Sequence, residues 1–125
     1  MNLKEKKKIE IEASLKEAEL IAADDFIVEN TKGDLWSFLS QVRGNYYFTI
    51  SNLVFIGGLA GIDSFSIPYS SITDLKTCNV GGIIPIIPTG IKVTYTDKDG
   101  KICKKKCSVM KRKEWIAFLS ERMNK

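Results

Sequence analysis

From Asn45 onward the chain alternates apolar and polar residues with a period of two, and Gly, Pro and Asn interrupt the alternation at short intervals. Side chains on a strand point to opposite faces in turn, so this pattern dictates short strands with one face buried. Tyr46, Phe48 and Ile50 alternate with Tyr47, Thr49 and Ser51. Ser51-Asn52 reads as a tight reversal into Leu53-Val54-Phe55-Ile56, and Gly57 to Gly61 reads as a loop. Phe65 and Ile67 flank Ser66 in a third strand that Pro68 stops. Ile72 and Leu75 break strict alternation, which predicts a bend or bulge before a strand running to about Val80. Ile91, Val93 and Tyr95 alternate with Lys92, Thr94 and Thr96, and Asp99-Gly100 marks a hairpin turn. The returning strand, Lys101 to about Met110, carries Cys103, Lys105, Cys107 and Val109 on one face and Ile102, Lys104, Lys106 and Ser108 on the other.

The flanks read differently. Residues 3–23 lack Gly and Pro, and Ile11, Leu15, Ala18 and Ala22 recur at helical spacing. That stripe is too narrow to hold an isolated helix, so residues 1–24 are predicted to form an amphipathic helix that docks on the rest of the chain or on a second copy. Phe26-Ile27-Val28 reads as a short strand ended by Asn30-Thr31-Lys32-Gly33. Asp34 is placed to cap a short helix burying Leu35, Phe38 and Leu39, with Gly44 at its end. Lys111 to Asn124 is a second amphipathic helix whose apolar face is Trp115, Phe118, Leu119 and Met123. With about seven short strands before one closing helix, residues 25–125 are expected to be a mainly β, α+β domain. Its antiparallel sheet curls into a barrel or sandwich with Trp115 plugging an open end.

Hydrophobic residues make up 44% of the chain and charged residues 27%, ordinary globular usage that excludes general disorder. The chain has no histidine, the commonest general acid–base near neutral pH. No nucleophile-elbow or phosphate-loop motif appears, so neither a catalytic residue nor a cofactor, metal or small-molecule substrate is expected. Asp97 and Asp99 flank a turn and are accounted for by turn propensity. Cys78, Cys103 and Cys107 make an odd count without paired spacing. On one strand, Cys103 and Cys107 stand about 13 Å apart, too far for a bridge or a shared metal, so a reduced, cytoplasmic setting is expected. Gly44 to Ile62 carries no charge but holds four glycines and several polar residues, which is turn and strand chemistry and not a lipid-facing helix.

Two segments carry the functional reading. Residues 1–100 hold ten basic and thirteen acidic side chains, whereas residues 101–125 hold nine basic and two acidic. Lys104 and Lys106 with Lys111, Arg112 and Lys113 therefore form a candidate contact for anions or acidic lipid. Three cations opening a helix oppose its dipole at a cost of a few tenths to about 1 kcal/mol each unless an anion sits there. Nucleic acid is disfavoured because no aromatic platform interleaves the basic stretch. The second segment is Gly81 to Gly90, uncharged and containing Ile83, Ile84, Pro85, Ile86, Ile87 and Pro88. Burying one isoleucine is worth about 1.5–3 kcal/mol, so the four must meet an apolar surface. That surface is the chain's own barrel or N-terminal helix, a protein partner or second copy, or a membrane.

Several motifs in order along residues 26–124 resemble GRAM domains, the bacterial members in particular, within the pleckstrin-homology-like superfold. The carriers are Asp34-Leu35-Trp36 and Gly44, then Tyr46, Phe48 and Thr49 with Leu53-Val54-Phe55, and Ser66-Ile67-Pro68-Tyr69-Ser70-Ser71-Ile72. Gly90-Ile91-Lys92-Val93, Asp99-Gly100-Lys101 and Glu114-Trp115 with Leu119 complete them. Where such domains usually carry an Arg after the Thr, this chain has Ile50-Ser51-Asn52. The resemblance implies a seven-stranded barrel capped by a helix. It implies no activity, because such barrels host protein binders, lipid binders and assembly modules. Inositide-binding relatives commonly use basic residues around the first hairpin; here residues 31–44 offer Lys32 and Arg43. The expected function is a non-catalytic binding or scaffolding module, self-association included. The alternative is a module that binds anionic membrane peripherally.

Overall fold

The computed structural model describes residues 3–37 and 40–123. Helix α1 (Leu3–Glu17) precedes seven strands, β1 (Ile27–Trp36), β2 (Gln41–Thr49), β3 (Asn52–Gly57), β4 (Phe65–Pro68), β5 (Ile72–Val80), β6 (Ile87–Thr96) and β7 (Ile102–Val109), and helix α2 (Arg112–Met123) follows. All seven strands form one antiparallel sheet in the order β4-β3-β2-β1-β7-β6-β5.

Strand β1 holds the two halves together, because it pairs with β2 along one edge and with β7 along the other. This corrects the short helix expected after Asp34. Leu35 lies opposite both Val42 and Cys107, and Trp36 opposite both Gln41 and Lys106. Pairing on two edges outweighs a local capping preference. Phe38 and Leu39, the other residues of that expected helix, lie outside the described residues. Gly44 is mid-strand: Gly33, Gly44 and Gly57 face one another across β1, β2 and β3. A Cβ on Gly44 would sit 2.7 Å from the Phe55 ring, and one on Gly33 2.8 Å from the Tyr46 ring. The glycine row thus makes room for two fully buried aromatic side chains.

One face of the sheet turns inward. Tyr46, Phe48, Leu53, Phe55, Ile67, Ile72, Ile91, Val93, Cys107 and Val109 bury together with Tyr69 and with Leu119 of α2. Residues from both halves share this core, so the sheet curls around it. It does not close by hydrogen bonds into the expected barrel: β4 and β5 remain its two edges. The 3-10 turn Tyr69–Ser71 joins those edges, and α2 packs beside that turn and against β5 and β6. Aromatic packing fills this opening. Trp115 stacks on Phe48, and Phe118 meets both rings edge-on.

The outer face of β1–β3 is covered by the N-terminal segment. Leu15 and Ile21 pack with Ile27, Tyr47 and Val54, joined by Ile11, Leu20 and Ile56. The helix is shorter than its 3–23 pattern suggests. Glu19 takes φ 60° and ends it, and Ala18 and Ala22 are exposed. Leu20 and Ile21 reach the sheet from the turn instead. Buried Asp25 fastens that turn: its carboxylate accepts from the Ile50 amide at 2.9 Å and the Thr49 hydroxyl at 2.7 Å.

Candidate functional site

The lysines of β7 are sorted by the pleat. Lys104 and Lys106 stand on the outer face, while Lys105 turns inward and places its ammonium 5.1 Å from the centroid of Phe65. Register then adds two cations from other strands. Lys76 of β5 is opposite Lys92 of β6, Lys92 is opposite Lys106 of β7, and Lys106 is opposite Trp36 of β1. Adjacent strands lie about 4.8 Å apart, so three ammonium side chains rise from one short row ending at an indole. The next row holds Asp74, Thr94 and Lys104.

Little on the face neutralises this row. On this face Lys76 pairs with Asp74 at 3.7 Å, between two exposed side chains. Like charges directly opposite on a sheet are destabilising. The arrangement is therefore held by the sheet and not by mutual attraction.

The isoleucine segment leaves β5 at Val80 and re-enters the sheet at Ile87. Gly81 and Gly82 take φ 124° and 67°, which turn the chain sharply. Ile83, Ile84 and Ile86 are 73%, 74% and 73% exposed, and Ile87 is 43% exposed. Burial of this loop on the chain's own sheet, one of the three expected surfaces, is not what the structure shows. Ile83 and Pro85 overhang the outer face, and with Trp36, Asn79 and Lys106 they line a notch of about 200 Å³. A stiff apolar rim, an indole wall and a cationic row meet at this point.

The predicted basic cluster is not brought together whole. Lys104 and Lys106 join the row. Arg112 is a structural clamp instead: its guanidinium donates to the carbonyls of Cys78 at 2.9 Å and Gly90 at 3.4 Å, tying the start of α2 to β5 and β6. Lys111 takes φ 57° as the strand turns into α2, and Lys111 and Lys113 are exposed beyond the end of β7. Lys76, Lys92 and Trp36 were absent from the sequence-based set. For Lys92 the signal was available, because a hairpin centred on Asp99 opposes residue 92 to residue 106. Lys76 and Trp36 needed the registers of β5 and β1.

The three cysteines are free. Cys107 lies in the inner core, where burial pushes its thiol up to about 12. Burial likewise raises Tyr46, whose hydroxyl donates to the Asp34 carbonyl at 2.7 Å, and Tyr69, whose hydroxyl donates to the Thr49 carbonyl at 2.7 Å. Among the described residues, no group of three His, Cys, Asp or Glu is placed to hold a metal ion, and no helix is long and apolar enough to cross a membrane.

No family model matches the chain, and no curated protein matches it significantly. Seven chains of solved structures do match. One is the C-terminal domain of an unknown protein from Leishmania infantum, with a TM-score of 0.67 and 17% identity over 92% of this chain and 99% of that one. At that identity the likeness defines a class by fold alone: a seven-stranded antiparallel sheet with a helix at each end of the chain.

Proposed function

We propose that the chain is a non-catalytic binding or scaffolding module of the GRAM type, working in the cytoplasm. Its curled sheet would be the pleckstrin-homology-like barrel that the sequence resemblance implies, with α2 filling the seam between β4 and β5. The observation that carries the reading is the exposure of Ile83, Ile84 and Ile86 next to the cationic row. Exposed isoleucines on a proline-stiffened loop are costly in water and lose little entropy when covered. A protein partner or a second copy of the chain covers them. The buried aromatic rings of the core fill the interior and leave contact to this outer surface.

A photo-crosslinking amino acid at position 86, with position 98 on the opposite hairpin turn as control, tests the reading in cells. A polypeptide adduct at 86 and none at 98 is expected. The absence of any adduct at 86 would sink it. An adduct to lipid would select the second reading, a module docked peripherally on anionic membrane. That reading rests on the same isoleucines with Lys106 beside Ile83 and Lys104 two residues away along β7, since each nearby cation adds about 1 kcal/mol of attraction to acidic lipid.

A further inference from the structure

We propose that the outer face of β5, β6 and β7 docks an acidic polypeptide segment. One apolar side chain of that segment enters the notch beside Trp36, and its carboxylates lie along Lys106, Lys92 and Lys76. The inference rests on the binding-module reading and specifies the partner's chemistry.

Two features select this occupant. The first is charge complementarity. Lys76, Lys92 and Lys106 are consecutive cross-strand neighbours, and one acidic side chain, Asp74, pairs with the outermost of them. A face that sustains like-charge repulsion in the free protein gains most from a ligand that supplies carboxylates. The second is shape. The notch of about 200 Å³ is concave and overhung by Ile83 and Pro85. It admits a protruding side chain, which a flat lipid surface does not present. Trp36 forms one wall, the kind of part-buried aromatic that anchors protein contacts, and Ile83 and Pro85 line the notch beside it. Among the described residues, α1 packs over β1–β3 and α2 joins the inner core, which leaves this face uncovered.

The same geometry argues against one form of self-association. Pairing β5 with β5 of a second copy would bring two such rows towards each other, and Lys76 on this edge strand guards against that.

The probe is a random-peptide display library selected against the full chain. The tightest peptide is then titrated by fluorescence anisotropy against the wild type, Lys92→Glu, Lys106→Glu and Ile83→Ser. These side chains are wholly or partly exposed, so the variants keep the fold, which circular dichroism checks. Selected peptides should share an aromatic or leucine residue beside Asp or Glu. Each charge reversal should weaken binding about tenfold or more, Ile83→Ser should weaken it severalfold, and added salt should weaken the wild type. The proposal is overturned if no peptide is enriched, if the enriched peptides are neutral or basic, or if binding ignores the reversals. Phosphatidylserine vesicles form a parallel arm. Sedimentation that the reversals abolish, with no peptide enriched, would assign the face to lipid and also overturn it. A polypeptide crosslinked at position 86 alongside a failed selection would leave the binding module standing and remove this inference alone.

Discussion

The indole of Trp115 lies flat on the ring of Phe48, centroids 4.4 Å apart and planes inclined by 1°. The contact joins the terminal helix to β2 across the core, while the same helix packs against β5 and the turn that links β4 to β5. Trp115→Ala should therefore cost about 3 kcal/mol, the lower end for removing a large aromatic because the indole is partly exposed. Trp115→Phe should recover at least half of that loss. Urea midpoints of the two variants check the ordering; equal stabilities would mean that α2 does not seal the opening.

Gly44 lies between Gly33 and Gly57, under the ring of Phe55. A methyl group there meets that ring at 2.7 Å and also presses on the Ile56 backbone carbonyl, so relief requires the strands to part. Gly44→Ala should destabilise by about 1–3 kcal/mol, and Phe55→Leu in the same chain should restore part of it. Thermal unfolding of the double-mutant cycle measures the coupling; strict additivity would refute the steric account.

Much of the fold was legible because it is written in short-range pattern. The strands from Tyr46 to Pro68, the irregularity at Ile72–Asp74, the hairpin at Asp99-Gly100 and the helix bearing Trp115 follow from alternation and turn chemistry. The misreadings fall where tertiary pairing decided. Asn30 to Gly33 looks like a break but lies mid-strand in β1, because β2 pairs with all four residues and β7 joins on the other edge from Gly33 onward. Glu19 has no feature in sequence that announces a left-handed helix end. The candidate face was legible in part. The exposed isoleucines stand out by composition, but the run Lys104-Lys105-Lys106 reads as one patch until the pleat divides it, and Arg112 reads as a free cation until its carbonyl partners are known.

Stability should fall in mild alkali, and Cys107 should begin the fall. Burial raises its thiol from an ordinary value of 9.0 to about 12 in the folded chain. Its contribution is therefore complete below pH 9. Above that pH the unfolded thiol ionises and the folded one does not, so stability declines until the folded thiol titrates near pH 12. The slope approaches about 1.4 kcal/mol per pH unit for this one group. Buried Tyr46 and Tyr69 add to the decline above pH 10, since burial raises both. Urea midpoints at pH 7, 9 and 10 should fall in that order, and Cys107→Val should flatten the step between 9 and 10. An unchanged step in the variant would place its origin elsewhere.

The cationic row separates function from stability. Lys92 is flanked by Lys76 on one side and Lys106 on the other, so it bears repulsion from both neighbours. Replacing it with threonine removes both repulsions and adds a β-branched residue to a strand. Lys92→Thr should therefore stabilise the free protein by about 0.5–1 kcal/mol at low salt. Most of that gain should vanish in molar salt, where the Debye length shrinks to about 3 Å. The same substitution should weaken capture of acidic peptides. Paired urea titrations at low and high salt measure the first effect, and anisotropy measures the second. A variant that is more stable and binds less well is the signature of charges kept for a partner. A variant that loses stability would show Lys92 to be a structural residue and the row an incidental product of the register.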